Sequence, residues 1–184
     1  MSNDIQKYNQ PGAVKPKSKA VEILLNSPTR YWESTNPKTM AEVFDKQNAP
    51  TMIAICNEAG EAWARALMVK LVSNFAEFYS TNNTMSDYQI ADTVDLMLEA
   101  YPHYKLDDYK LFFKMAKKGY FGQIFGRIDG EVVLSWLKKY DEQRCIEAQN
   151  MAIKEKEKIQ YEQSDLNIGM TYDEYLAWKE QKLK

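Results

Sequence analysis

Cysteine, histidine, glycine and proline are all scarce in this chain: two, one, seven and six among 184 residues. With a single histidine, His103, any histidine-rich metal site and most Ser-His-Asp or Cys-His schemes would depend on that one side chain. The two cysteines, Cys56 and Cys145, lack CxxC spacing and each lies in a helical apolar pattern, so they read as free thiols serving as small core residues. The low glycine and proline content excludes collagen-like and low-complexity classes. No apolar run approaches the roughly 18 residues a membrane span requires, and the start, MSNDIQKYNQPG, is too polar for a signal peptide. A cytoplasmic protein without a membrane contact is the expectation.

Large charge of one sign is also missing. The formal net charge is −2, which does not suit a wholesale nucleic-acid coat. Its distribution is uneven: residues 50–100 hold two basic and seven acidic side chains, whereas 101–145 hold nine basic and six acidic. Most such asymmetries are solvated surface.

What is present is helical periodicity. Residues 1–20 mix Pro, Gly, Lys and polar residues without period and read as a disordered tail. Short helices are expected at Val21–Leu25 and Thr39–Gln47, with turn chemistry and Trp32 between them. A strong helix opens at Pro50-Thr51, striped by Trp63, Leu67, Leu71, Phe75 and Phe78, with Glu61 and Arg65 as an i, i+4 pair. The next begins at a Ser86/Gln89 capping box, is striped by Ile90, Val94, Met97 and Tyr101, and ends at Pro102. Asp107 is the expected cap of a third, with a staple between Leu106 and Leu111 and an apolar side of Tyr109, Phe112, Phe113 and Ala116. Asp129 caps a long helix that turns Val132, Val133, Trp136, Leu137 and Tyr140 inward. Past Ala148 its pattern fades into alternating charge. Thr171 and Glu174 open a last amphipathic helix beyond a hinge near 167–169. No strand alternation or repeat appears. The expected fold is all-α: a compact bundle of about five helices with a tail at 1–20, a core at 21–148 and an extended C-terminal helical arm at 149–184.

The segment "KKGYFGQIFGRIDG" concentrates chemistry. Its glycines at 119, 122, 126 and 130 fit neither GxxxxGK[ST] nor GxGxxG after a strand, so a helical or turn-forming connector is expected over a phosphate loop. Gly122 and Gly126 should mark close packing or unusual dihedrals. The basic and aromatic residues Lys114, Lys117, Lys118, Tyr120 and Arg127 are the candidates for weak contact with nucleic acid, by stacking and phosphate neutralisation. The plainer reading makes the aromatics core and the lysines solvated. The acids Asp87, Asp92, Asp95 and Glu99 could bind a cation, but a wet helix face looks the same. No residue is assigned a catalytic, cofactor or metal role. Tyr172, Tyr175, Leu176 and Trp178 are the candidate partner-binding surface, whether that helix seals its own core or reaches another protein.

From "QIADTVDLMLEAYPHYKLDDYKLFFKMAKKGYFGQIFGRIDGEVVLSWLKKYDEQRC" the chain resembles an uncharacterised family from phages and mobile elements of gut bacteria. The parts that carry the likeness are Tyr101-Pro102, Phe112-Phe113, Gly119 with Gly122, Arg127 to Gly130, and Tyr140 to Arg144, within about residues 50–148. The likeness brings no activity with it. The chain is also similar to phage replicative helicase loaders and inhibitors, whose helix ends "YPxF"; here Tyr104 stands at the phenylalanine, and the glycine segment is extra. That resemblance implies a non-enzymatic adaptor in DNA replication that contacts a replicative helicase or another phage or host protein, often through a C-terminal part. The alternatives are a virion or cargo structural protein, packaged with the particle, a single-stranded nucleic-acid binder, or an inhibitor of a host defence enzyme.

Overall fold

The computed structural model describes residues 21, 35–45, 49–79, 84–124, 126–166 and 171–182. The expected tail at 1–20, all of the Val21–Leu25 helix except Val21, Trp32, Phe125 and the hinge near 167–169 lie outside the described residues. The fold is all-α. Among those residues seven helices occur: α1 Met40–Asp45, α2 Met52–Ala59, α3 Glu61–Phe78, α4 Asp87–Ala100, α5 Leu106–Lys117, α6 Gly130–Leu166 and α7 Tyr172–Lys182. Two compact units divide the chain, Met1–Arg144 and Cys145–Lys184, with the boundary inside α6.

In the first unit α3 packs against α2, α4 and α5, and α1 lies on α5. The centre is aromatic. Phe75 of α3 meets Phe113 at 5.2 Å and Trp136 at 6.3 Å between ring centres, and Phe112 meets Phe121 and Tyr140. Tyr109, Phe112, Phe113 and Ala116 form the buried side of α5, as the sequence pattern requires. So do Ile90, Val94 and Met97 on α4, and Val133, Trp136, Leu137 and Tyr140 on α6.

The first turns and last turns of helices leave backbone donors and acceptors without intrahelical partners, and in this fold neighbouring segments supply them. The amides of Met52 and Ile53 at the start of α2 donate to the carbonyls of Tyr104 (2.8 Å) and Pro102 (2.9 Å), and Leu106 N–H donates to Pro50 C=O. Thr51 caps α2 through its side chain. The Tyr109 hydroxyl donates to the carbonyls of Met97 and Tyr101 at the end of α4, each at 3.1 Å. Lys105 Nζ does the same for Val43 at the end of α1 (2.8 Å), and the Tyr79 hydroxyl for Ala116 at the end of α5 (3.1 Å). Side chains from distant segments thus tie the helix ends together.

Several expectations are corrected. The helix opened by Thr51 is two helices, broken at Gly60, whose φ of 101° is one that L side chains rarely adopt. The stripe of α3 is rotated: Ala64, Met68, Leu71, Val72, Phe75 and Ala76 are buried, while Trp63 and Leu67 are half-buried and Phe78 is exposed. Arg65 turns to Asp95 of α4, with Nε–Oδ1 at 2.7 Å and Nη2–Oδ2 at 2.9 Å, instead of to Glu61. Asp107 does not cap α5. Lys105 is the N-cap, and its backbone N–H donates to Asp108 at N3 (3.0 Å). Cys145 is exposed, and Cys56 half-buried.

The capping expectations that rest on nearest sequence neighbours hold. Ser86 and Gln89 form the reciprocal capping box of α4, Asp129 Oδ1 accepts from Val132 N–H at 3.0 Å, and Thr171 and Glu174 exchange bonds at the start of α7. In the second unit the faces of α6 from Cys145 to Glu162 are mostly exposed, with Lys158 and Glu162 3.8 Å apart.

Candidate functional site

Three groups of residues concentrate the chemistry of the chain. The first is a buried charged cluster where α5 meets α6. Asp108, 1% exposed, accepts from Arg144 Nε at 2.7 Å, from Tyr140 hydroxyl at 3.1 Å and from the Lys105 backbone. The Arg144 guanidinium is sandwiched between the rings of Phe44 (4.9 Å) and Tyr104 (4.7 Å). The Tyr104 hydroxyl donates to Asp141. Burial is the largest influence on the Arg144 pKa and lowers it, but the bond to Asp108, the Asp108 charge and the nearby Tyr104 and Tyr140 together outweigh it, and the net shift is upward. The Asp108 carboxylate thus accepts from three residues, Lys105, Tyr140 and Arg144, as a buried structural ion pair does.

The cluster also makes the fold sensitive to alkali. Burial pushes the phenols of Tyr104, Tyr109 and Tyr140 well above the usual tyrosine range, and neighbouring Asp141 or Asp108 adds to the shift. A folded-state pKa raised above the unfolded value of about 10 means that the stability these phenols contribute is complete below pH ~10 and is lost progressively above it. The melting temperature should therefore be flat from neutral pH to about 9 and fall beyond about 10, with a shallower fall in Tyr140→Phe. Phenolate absorbance should show these three tyrosines ionising only above the usual tyrosine range. A single step near pH 10 for all of them would contradict this picture.

The second group is the glycine segment and the lysines before it. Lys118 is the C-cap of α5, and the described residues between it and Gly130 form a turn and irregular backbone. Gly119, Gly122 and Gly126 have φ of 79°, 137° and 71°. The segment is a turn-forming connector, and its glycines do not share a helical face. Phe121 is buried against Phe112 and Trp136, and Lys139 Nζ donates to its carbonyl at 2.8 Å. Of the five candidate nucleic-acid residues, Tyr120 is exposed and Arg127 pairs with Asp129 at 2.7 Å. Lys114 donates to Asn36 Oδ1 and Pro37 C=O, and Lys117 to Asn74 Oδ1 while lying 5.1 Å from the Phe78 ring centre. Lys114, Lys117 and Lys118 come together on one groove, and Tyr120 and Arg127 are not among its lining residues. Sequence reading missed Lys110, Asn36, Asn74 and Phe78, which line the same groove. The i, i+4 spacing of Lys110 and Lys114 was the available signal for the first. Nothing local signalled the others.

The third group is α7. Tyr172, Tyr175, Leu176 and Trp178 are all exposed, with Tyr172 at 75% and Trp178 at 45%. The rings of Tyr175 and Trp178 stack at 6.3 Å, and Lys182 Nζ lies 4.6 Å from the Trp178 ring centre. The four candidate partner-binding residues are thus on one capped helix and present an apolar surface. His103, the remaining residue of catalytic type, is exposed and lies edge-on to Tyr104 at 4.9 Å. Among the described residues no helix is long and apolar enough to cross a membrane.

No curated protein and no solved structure matches the chain. Residues 85–184, from the start of α4 to the end of the chain, match the family of unknown function DUF6633. The matched span takes in the Asp108–Arg144 cluster, the glycine segment and α7, and leaves α1, α2 and α3 outside it. Covering more than half of the sequence, this match places the chain in the DUF6633 family.

Proposed function

We propose that the chain is a non-enzymatic adaptor of a phage or mobile element, acting in DNA replication, and that α7 is the element with which it holds a replicative helicase. The observation that carries the reading is the set of exposed apolar side chains on α7: Tyr172, Tyr175, Leu176 and Trp178 on a helix capped at its start by Thr171 and Glu174. A helix of 11 residues is marginal alone in water. Rigid aromatic anchors at helical spacing are what a groove on a partner takes up. The non-enzymatic part is supported by the Asp108 cluster, whose buried donors and acceptors are spent on one another. The helicase as partner rests on the helix end at Tyr101-Pro102 and its likeness to the loaders.

The test is retention of purified replicative helicase by immobilised full-length protein. Tyr175→Ala/Trp178→Ala should leave stability within about 0.5 kcal/mol, as exposed substitutions do, and should abolish retention. Unchanged retention would refute the reading. So would a loss of several kcal/mol, which would make α7 part of the fold's own core.

A further inference from the structure

The first unit carries a lysine-rich groove. It is open, holds about 480 Å³, and is lined by Lys110, Lys114, Lys117 and Lys118 over Leu71, Phe78 and Phe113, with Asn36 and Asn74 on its sides. No carboxylate lines it. The lysines occupy i, i+4, i+7 and i+8 of α5 and its cap, a row about 12 Å long at 1.5 Å rise per residue. Bonds to Asn36, Pro37 and Asn74 hold Lys114 and Lys117 in place. An ammonium has three donors, so Lys117, with one bond to Asn74, keeps capacity for an anion. Among the described residues Lys118 makes no side-chain bond that competes. Beside them Phe78 is 54% exposed, an uncommon state for a phenylalanine at a helix end.

We propose that this groove binds single-stranded nucleic acid, with Lys114, Lys117 and Lys118 on successive phosphates and a base stacked on the Phe78 ring. Ammonium groups alone would take any polyanion. The half-exposed ring among them is what favours a nucleic acid over an acidic peptide, because every base offers a face for stacking and a peptide carboxylate does not. Burial lowers the pKa of Lys117, so an arriving phosphate would relieve an ammonium that is short of solvent. The row is short, so affinity should be modest and governed by few charges. The assignment rests on residues of the first unit alone and stands whether or not α7 holds a helicase.

Fluorescence anisotropy of the full chain with a short labelled oligothymidine, titrated with salt, tests the assignment. Three phosphate contacts at about 0.7 each predict a slope of log K against log salt near −2. Lys117→Gln/Lys118→Gln should bring it to about −0.7 and weaken binding at least about tenfold. Phe78→Leu should weaken binding about fivefold or more while leaving the slope unchanged. Lys138→Gln, outside the groove, should change nothing. Absence of salt-dependent binding by the parent protein would overturn the proposal. So would binding that Phe78→Leu leaves intact and polyglutamate competes away, since the groove would then be a site for acidic peptide. Should the double lysine variant lose its helical signal, the parent slope and the Phe78→Leu result decide.

Discussion

Arg144→Ala is expected to cost about 3–5 kcal/mol, because it strands a buried carboxylate without its countercharge. Asp108 is 1% exposed and the Arg144 side chain 16%, so water cannot replace the guanidinium without opening the junction of α5 and α6. The loss also removes the planar group stacked between Phe44 and Tyr104. Arg144→Lys should recover only part of the stability, since an ammonium gives up both the fork of donors and the stacking plane. Removing both charges together should be milder than removing one. Asp108→Asn/Arg144→Met leaves no unpaired ion, and replacing a buried pair by neutral groups of similar volume is often near neutral. Equilibrium denaturation of the three variants checks the ordering. A loss below about 1 kcal/mol for Arg144→Ala would mean that the pair behaves like a surface ion pair, and the packed junction would be wrong.

The second large effect lies in the glycine segment, where two glycines are needed for different reasons. Gly122 has φ of 137° and only the Trp136 Nε1 atom near an added Cβ, at 4.0 Å. Gly122→Ala therefore strains the backbone without crowding anything, at about 1–3 kcal/mol. Gly130 has ordinary backbone, but a Cβ there would meet Thr93 Oγ1 at 2.4 Å. That hydroxyl is held by its bond to Gln89 C=O at 2.6 Å, and Thr93 is itself β-branched, so it cannot swing aside cheaply. Overpacking of this kind costs about 1–3 kcal/mol. The two mechanisms separate in double variants: Thr93→Ala should restore much of the stability lost in Gly130→Ala and none of that lost in Gly122→Ala. Rescue of both, or of neither, would contradict the assignment.

The parts of this fold that could be read from sequence are those set by residues three or four apart. The Ser86/Gln89 and Thr171/Glu174 boxes, the Asp129 cap and the apolar faces of α4, α5 and α6 are of this kind. The parts that could not be read depend on what lies across a gap. Arg65 finds Asp95 30 residues away, and Arg144 finds Asp108 36 residues away, although nearer carboxylates were available along the helix. The stripe of α3 is ambiguous for a similar reason. Both the Trp63–Leu67 face and the Ala64–Met68 face are apolar, and only the packing of α2, α4 and α5 decides which is buried. Gly60 breaks a continuous helical pattern because a glycine permits a φ of 101°, and permission is not visible as a requirement. Cys145 lies in an apolar pattern yet is exposed, since periodicity names a face without naming what covers it.

The candidate sites follow the same rule. Tyr172, Tyr175, Leu176 and Trp178 are local to one short helix, and their clustering is legible in the sequence. The basic groove is not, because Asn36, Asn74 and Phe78 come to the lysines of α5 from other segments. Conversely, Tyr120 and Arg127 are close to those lysines in sequence and have no place in the groove's lining.

The adaptor reading stands on α7 as the docking element, and hydrogen exchange tests that most directly. The full chain is exchanged alone and with saturating purified replicative helicase. Amides of a short exposed helix should exchange quickly in the free protein, and the account predicts that helicase slows those of 172–182 strongly while leaving α4 and α5 unchanged. Unaltered exchange across 172–182, with protection absent or confined to the first unit, would contradict it.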